Sequence, residues 1–181
     1  ILVAIAHSHR CTRDRLTAEL HLGDARQTIQ TLAQSGFQAD AIFFDPFSPR
    51  RCPQLWTVDF LTWVARCLAP TGKLATYSRS ASVRAALREA GLAIGTIPFP
   101  PHAPQLPSHE WAQGTVAGFE AAALPLLSQM EQEHLQTRAA IPYRDPTLCA
   151  TAAEIHRQHQ QAQAQAQVES TSSWRRRWGI R

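Results

Sequence analysis

Methionine is nearly missing: Met130 is the only one in 181 residues, and residue 1 is isoleucine. The expectation is a chain that begins inside a longer reading frame, with part of its domain upstream. Cysteine is sparse and scattered. Cys11, Cys52, Cys67 and Cys149 form no C-x-x-C pair, which argues against a disulfide framework and a thiolate metal site and for free thiols in a reducing cytosol. No apolar run approaches the 18 or so residues a membrane helix needs, and no signal-peptide pattern opens the chain. A cytoplasmic protein with no membrane association is expected. There is no G-x-x-x-x-G-K-[ST] and no G-x-G-x-x-G, so neither a P-loop nor a dinucleotide fingerprint is supported. The 8 histidines show no H-E-x-x-H spacing, and no metal site is expected. Ser48 lacks the G-x-S-x-G setting of a nucleophile elbow. Acids are missing after Glu169, where Arg175, Arg176, Arg177 and Arg181 account for the whole net charge of +4. The rest is close to neutral, so the basic character belongs to the tail. Such a tail finds phosphate or simply stays solvated.

What is present centres on Ala41-Ile42-Phe43-Phe44-Asp45-Pro46-Phe47-Ser48-Pro49. Four apolar residues run into an acid and a proline-punctuated turn, as in a strand buried on both faces. Pro46 has no N–H to donate and ends the strand. Asp45 therefore falls at the carboxyl end of a central strand, the edge where open α/β sheets bind ligands, or else it merely caps a turn.

Around it, helical and strand periods alternate. Residues 1–9 read as the last turns of a helix, 10–15 as a loop and 18–22 as a half-buried strand closed by Gly23-Asp24-Ala25. Asp24 suits the N-cap of a helix over 26–35 that stops at Gly36. The apolar stripe through Trp56, Phe60, Trp63, Val64 and Leu68 predicts a helix ended by Pro70 and Gly72. A strand over 73–77, a helix capped by Ser78 or Ser80, and a strand over 92–97 follow. Residues 98–107 hold five prolines and read as an irregular connection. A last strand over 114–119 is free to run antiparallel. A short helix is expected over 124–136. Asp145-Pro146 predicts the start of another that runs to about 167, with a solvated Gln/Ala-rich second half. The organisation expected is a partial domain over 1–123, a helical extension over 124–168 and a disordered basic tail over 169–181.

Strand, acid and turn occur together twice, at Asp24 and at Asp45, so two acids at neighbouring strand ends flank one ligand. Cys52 lies in the basic loop beside them and reads as a bystander rather than a nucleophile.

Leu22-Gly23-Asp24-Ala25-Arg26, the stretch Asp40 through Pro49, Pro53-Gln54-Leu55-Trp56-Thr57, Leu74-Ala75-Thr76-Tyr77-Ser78 and Val83-Arg84 through Leu92 together resemble the methyltransferase domain of MnmC-type tRNA-modification proteins. The resemblance covers roughly residues 18 to 97, with a weaker echo at Gly114-Thr115-Val116-Ala117. It implies an α/β fold of the class I S-adenosylmethionine-dependent methyltransferase type. The sheet would be doubly wound and mostly parallel, without its first two strands, and followed by a helical C-terminal tail. It also implies N-methylation of 5-aminomethyl-2-thiouridine at the tRNA wobble position, with S-adenosylmethionine as cofactor. By motif match, Gly23, Asp24 and Ala25 lie beside the adenine, Asp45 and Pro46 meet the cofactor, and Asp45 sits at the reaction centre. Phe47 or Trp56 stacks on the flipped base, unless Trp56 is a core anchor. Arg50 and Arg51 contact phosphate. The chain holds nothing that matches the flavin-dependent oxidase domain of fuller relatives, and it lacks the acidic glycine-rich loop that cradles the cofactor's methionine part. Turnover is thus expected of the parent reading frame rather than of this chain alone. Two rival readings are a same-fold enzyme acting on another amine and a non-catalytic RNA- or protein-binding module.

Overall fold

The computed structural model describes residues 1–99 and 112–180. Helix α1 (Leu2–Ser8) carries no buried residue and leads into a two-stranded antiparallel sheet of β1 (Arg10–Arg13) and β2 (Leu16–Glu19). The turn between them passes through Asp14 at φ 54°, the left-handed region that tight hairpins use. This corrects two expectations. Residues 10–13 are strand rather than loop. The strand expected over 18–22 ends at Glu19 and pairs with β1, not with the main sheet, because the hairpin register Arg10↔Glu19 to Arg13↔Leu16 takes up its backbone groups.

The main sheet contains β3 (Ala39–Phe43), β4 (Leu68–Thr76), β5 (Ala93–Ile97) and β6 (Gly114–Gly118) in the order β3-β4-β6-β5. β3 and β4 are parallel, and β6 runs antiparallel between β4 and β5, as the freedom of the last strand allowed. β6 comes this close because Gly114 has no side chain: a Cβ there would lie 2.2 Å from the Thr76 carbonyl. The proline-rich connection expected over 98–107 falls, from residue 100 on, outside the described residues.

β3 was expected to be central and covered on both faces. Among the described strands it is an edge. Phe43 is 87% exposed, while its neighbour Phe44 is buried. Alternation sends Ile42 and Phe44 to the helical face and Phe43 to the open one.

Helices α2 (Ala25–Gln34), α3 (Val58–Arg66) and α4 (Ala81–Glu89) stand side by side on that helical face. The core joins Phe44 and Leu74 to Trp56, Phe60, Leu61, Val64, Val83 and Leu87. Asp24 caps α2, as expected, by accepting from the Arg26 amide. Thr57 caps α3. Trp56 lies not in α3 but at the end of a 3-10 turn, Pro53–Trp56. The helix also stops before Pro70. β4 begins at Leu68, and the register irregularity opposite 39–41 absorbs Pro70 and Gly72 as a bulge.

The C-terminal part departs most from expectation. The helix expected over 124–136 is a 3-10 turn at Ala121–Ala123 followed by the short α5 (Gln129–His134). Asp145-Pro146 does not begin a helix. The Asp145 carboxylate accepts from Arg26, Thr147 and the amides of Cys149 and Ala150, which leaves α6 (Ala152–Gln165) to start at Thr151. The stretch 169–181, expected as a disordered tail, is helical over α7 (Thr171–Arg177). Trp174 is buried and stacks on His134 at 4.1 Å, and Arg177 pairs with Glu133 and Glu169. An amphipathic turn with one large aromatic thus docks where its arginine content suggested solvation. No described helix is long and apolar enough to cross a membrane.

Candidate active site at the carboxyl edge of the sheet

β3 ends in the sequence that opens the site. The Phe44 amide donates to the Ala75 carbonyl at 2.8 Å, the last ladder bond before Asp45. Pro46 then turns the chain. Two aromatic side chains catch the next two carbonyls: the Tyr77 hydroxyl donates to Pro46 O at 3.0 Å, and the Trp56 indole N–H donates to Phe47 O at 2.7 Å. The Trp56 and Tyr77 rings meet edge to face at 6.1 Å, and Trp56 meets Phe44 likewise at 5.1 Å. Asp45 itself is exposed. Its charge helps to hold the Tyr77 hydroxyl above the usual phenol range, after the larger effect of burial.

Asp45 lies in the wall of a cleft of about 370 Å³ with Phe43, Phe44, Ala75, Thr76, Tyr77, Ile97 and Gln113. These residues come from the carboxyl ends of β3, β4 and β5 and from the start of the antiparallel β6. All of them stand at one edge of the sheet.

The other sequence-derived candidates divide. Phe47 is 74% exposed, with its ring free to meet a ligand. Trp56 is fully buried, so its expected role in stacking on a base is overturned in favour of the core anchor. Arg50 and Arg51 are exposed in the turn that follows Phe47, and the Arg50 carbonyl is bonded by His156 of α6. Gly23, Asp24 and Ala25 do not line the cleft. Gly23, at φ 133°, turns the chain into α2. Asp24 is held by Arg26, whose guanidinium and amide together keep the carboxyl below its usual range. The same guanidinium reaches Asp145 at 2.8 Å and the Ala150 carbonyl at 3.0 Å. Asp145 in turn donates its amide to Asp59 at the start of α3.

Sequence reasoning passed over Tyr77 and Arg26 as site residues. Both stand inside quoted motifs, Leu74-Ala75-Thr76-Tyr77-Ser78 and Leu22-Gly23-Asp24-Ala25-Arg26. That was the available signal. Their partners lie 31 and 119 residues away. Among the described residues no cluster of three or more His, Cys, Asp or Glu is placed to hold a metal ion.

The family described as S-adenosyl-L-methionine-dependent methyltransferase matches residues 2–101. The tRNA 5-methylaminomethyl-2-thiouridine biosynthesis bifunctional protein MnmC of Pseudomonas fluorescens (strain Pf0-1) is 31% identical over 144 residues, which cover 78% of this chain and 21% of that protein. The protein of the same name from Azoarcus sp. (strain BH72) is 39% identical over 92 residues, 50% of this chain and 14% of that protein. The chain thus spans about a fifth or less of the length of these curated relatives. The crystal structure of MNMC2 from Aquifex aeolicus superposes with a TM-score of 0.77 at 29% identity, over 91% of this chain and 51% of that one. An open sheet with an acid at its carboxyl edge and a family match over more than half its length lead to one conclusion: the chain belongs to the S-adenosyl-L-methionine-dependent methyltransferases, in their MnmC-type branch.

Proposed function

We propose that the chain carries the acceptor side of an S-adenosylmethionine-dependent N-methyltransferase acting on the aminomethyl group of 5-aminomethyl-2-thiouridine at the tRNA wobble position. The observation that carries this reading is the exposed Asp45 carboxylate, held in a tight aromatic-backed turn at the mouth of the cleft. When bound, S-adenosylmethionine supplies an electrophilic methyl group on a sulfonium. The donor set suits such a group. A carboxylate and the aromatic faces of Phe43 and Tyr77 line the cleft, and both favour a cation. Asp24 and Ala25, at the start of α2, would flank the adenine by motif match.

The nucleophile must be a neutral amine with its lone pair free. Asp45 accepts the amine's N–H groups, which aims the lone pair, and its charge stabilises the positive charge that grows on nitrogen. The same carboxylate, or water, receives the proton. Phe47 provides the π-face that an unstacked base needs, and Arg50 and Arg51 meet the phosphates around it. A tRNA substrate puts the protein in the cytoplasm. The reaction needs neither flavin nor metal.

The test is transfer of labelled methyl groups to tRNA bearing the aminomethyl base by this chain and by its parent reading frame, alongside calorimetric binding of S-adenosylmethionine. Asp45→Asn is expected to lower turnover by about 100-fold or more while leaving the melting temperature within about 2 °C, since the side chain is exposed. Turnover equal to wild type would remove Asp45 from the reaction. Methylation of free amines but not of tRNA would replace the substrate.

A further inference from the structure

We propose that Tyr77 is a positioning residue for Asp45, acting through the carbonyl of Pro46. This goes deeper into the site on which the proposed function rests, and it gives the Tyr77 hydroxyl a task beyond the ring's place in the cleft wall.

The turn has a difficulty built into it. Asp45-Pro46-Phe47 follows the last ladder bond of β3, and Pro46 offers no amide to tie it down. An acid at the end of a strand and on the rim of a cleft would therefore be held from one side only. The structure answers with β4. Ala75 O of β4 receives the Phe44 amide just before Asp45, and Tyr77, the first residue past the end of β4, donates its hydroxyl to Pro46 O just after it. The end of β4 and the residue that follows it thus bracket Asp45 from both sides. Trp56 extends the bracket by holding Phe47 O. Trp56 is buried, and its ring supports that of Tyr77 edge to face.

The base of Tyr77 is also fixed. A Cβ on Gly114 would come within 3.1 Å of the Tyr77 Cα, so β6 lies directly against it and sets where the phenol starts. Tyr77 and Asp45 line the same cleft. A phenylalanine at 77 keeps the ring and its packing and loses only the donor, so Tyr77→Phe isolates the hydrogen bond. A carboxylate released by even a fraction of an ångström loses alignment with the amine, which costs turnover rather than affinity.

The experiment uses the full chain and two readouts. The first is independent of turnover: the side-chain ¹³C resonance of Asp45 and the carbonyl ¹³C resonance of Pro46, in wild type and in Tyr77→Phe. Both are expected to shift while the melting temperature stays within about 3 °C. The second is steady-state methyl transfer, in which kcat is expected to fall roughly tenfold with KM unchanged. Unshifted resonances overturn the inference whether or not turnover is measurable. A rise in KM with unchanged kcat also overturns it, because that would make Tyr77 a substrate contact. Shifted resonances together with a parent reading frame that methylates no tRNA would leave the positioning intact and defeat the proposed function instead.

Discussion

Two aromatic residues nine positions apart show how burial assigns a role that residue type leaves open. Phe47 and Trp56 both suit stacking on a base. The indole of Trp56 has an N–H that can satisfy a buried carbonyl, and it is drawn into the core, where it meets Phe44 and Tyr77. Phe47 lies in the turn past Pro46 and stays out. Trp56→Phe should therefore cost about 2–3 kcal/mol, combining a cavity with an unsatisfied Phe47 carbonyl. Phe47→Ala should change stability by no more than about 0.5 kcal/mol. Urea unfolding of the two variants measures both, and equal losses would contradict the burial argument.

At the scale of elements, the short helices α5 and α7 would not persist alone. They are held by contacts between each other and with the sheet. Buried Arg84 of α4 donates to Thr115 of β6 and pairs with Glu131 of α5, which also accepts from Thr96 of β5. Beside this pair His134 lies under Trp174. Burial first, then the positive charges of Arg84 and Arg175, push the His134 imidazole down to about 4, against a smaller upward pull from Glu131. A histidine that ionises less readily folded than unfolded makes the unfolded state the better proton binder. Its contribution is complete above the ordinary value of 6.5 and is lost as pH falls to about 4. The loss is on the order of 3 kcal/mol. His159, also held down mainly by burial, adds in the same direction. The lowered carboxyls Glu131 and Glu133 weaken the fold only at more acid pH, as it falls below about their ordinary 4.5. Denaturant midpoints should drop between pH 6.5 and 4.5, and His134→Phe should flatten that slope. A slope unchanged by the substitution would mean that the imidazole ionises freely in the folded protein.

Across the whole molecule, one guanidinium joins the start of α2 to the C-terminal part. Arg26 links Asp24, the cap of α2, to the buried Asp145 carboxylate, which also gathers backbone amides of its own loop. The Asp145 amide then reaches Asp59 at the start of α3. The starts of α2 and α3 are thus tied together by a residue 119 positions from Arg26 and 86 from Asp59 in sequence. Asp145→Asn leaves Arg26 half-paired in a mostly buried place and should cost about 3 kcal/mol. Chemical denaturation checks this, and a loss below about 1 kcal/mol would rank the pair with ordinary surface ion pairs.

The local features were legible from residue order alone. Asp24 as the α2 cap, the strand-acid-proline end at Asp45, the stripes of α3 and α4 and the final strand over 114–118 all depend on interactions within a few residues. Those interactions are written in spacing. The motifs also carried the family. Position within the sheet was not legible. A run such as Ala41 to Phe44 looks the same at a centre or an edge, because apolar content records what a strand tolerates and not which neighbour it has. The helix expected from Asp145-Pro146 failed for a related reason: a distant arginine and nearby amides competed for the carboxylate that would have capped it. The tail looked solvated because its arginines outweighed Trp174 and Trp178 in the count, yet burying the Trp174 ring against His134 decided the packing. Burial, long-range pairing and the bracket around Asp45 depend on residues brought together from across the chain. Only the folded arrangement holds that information.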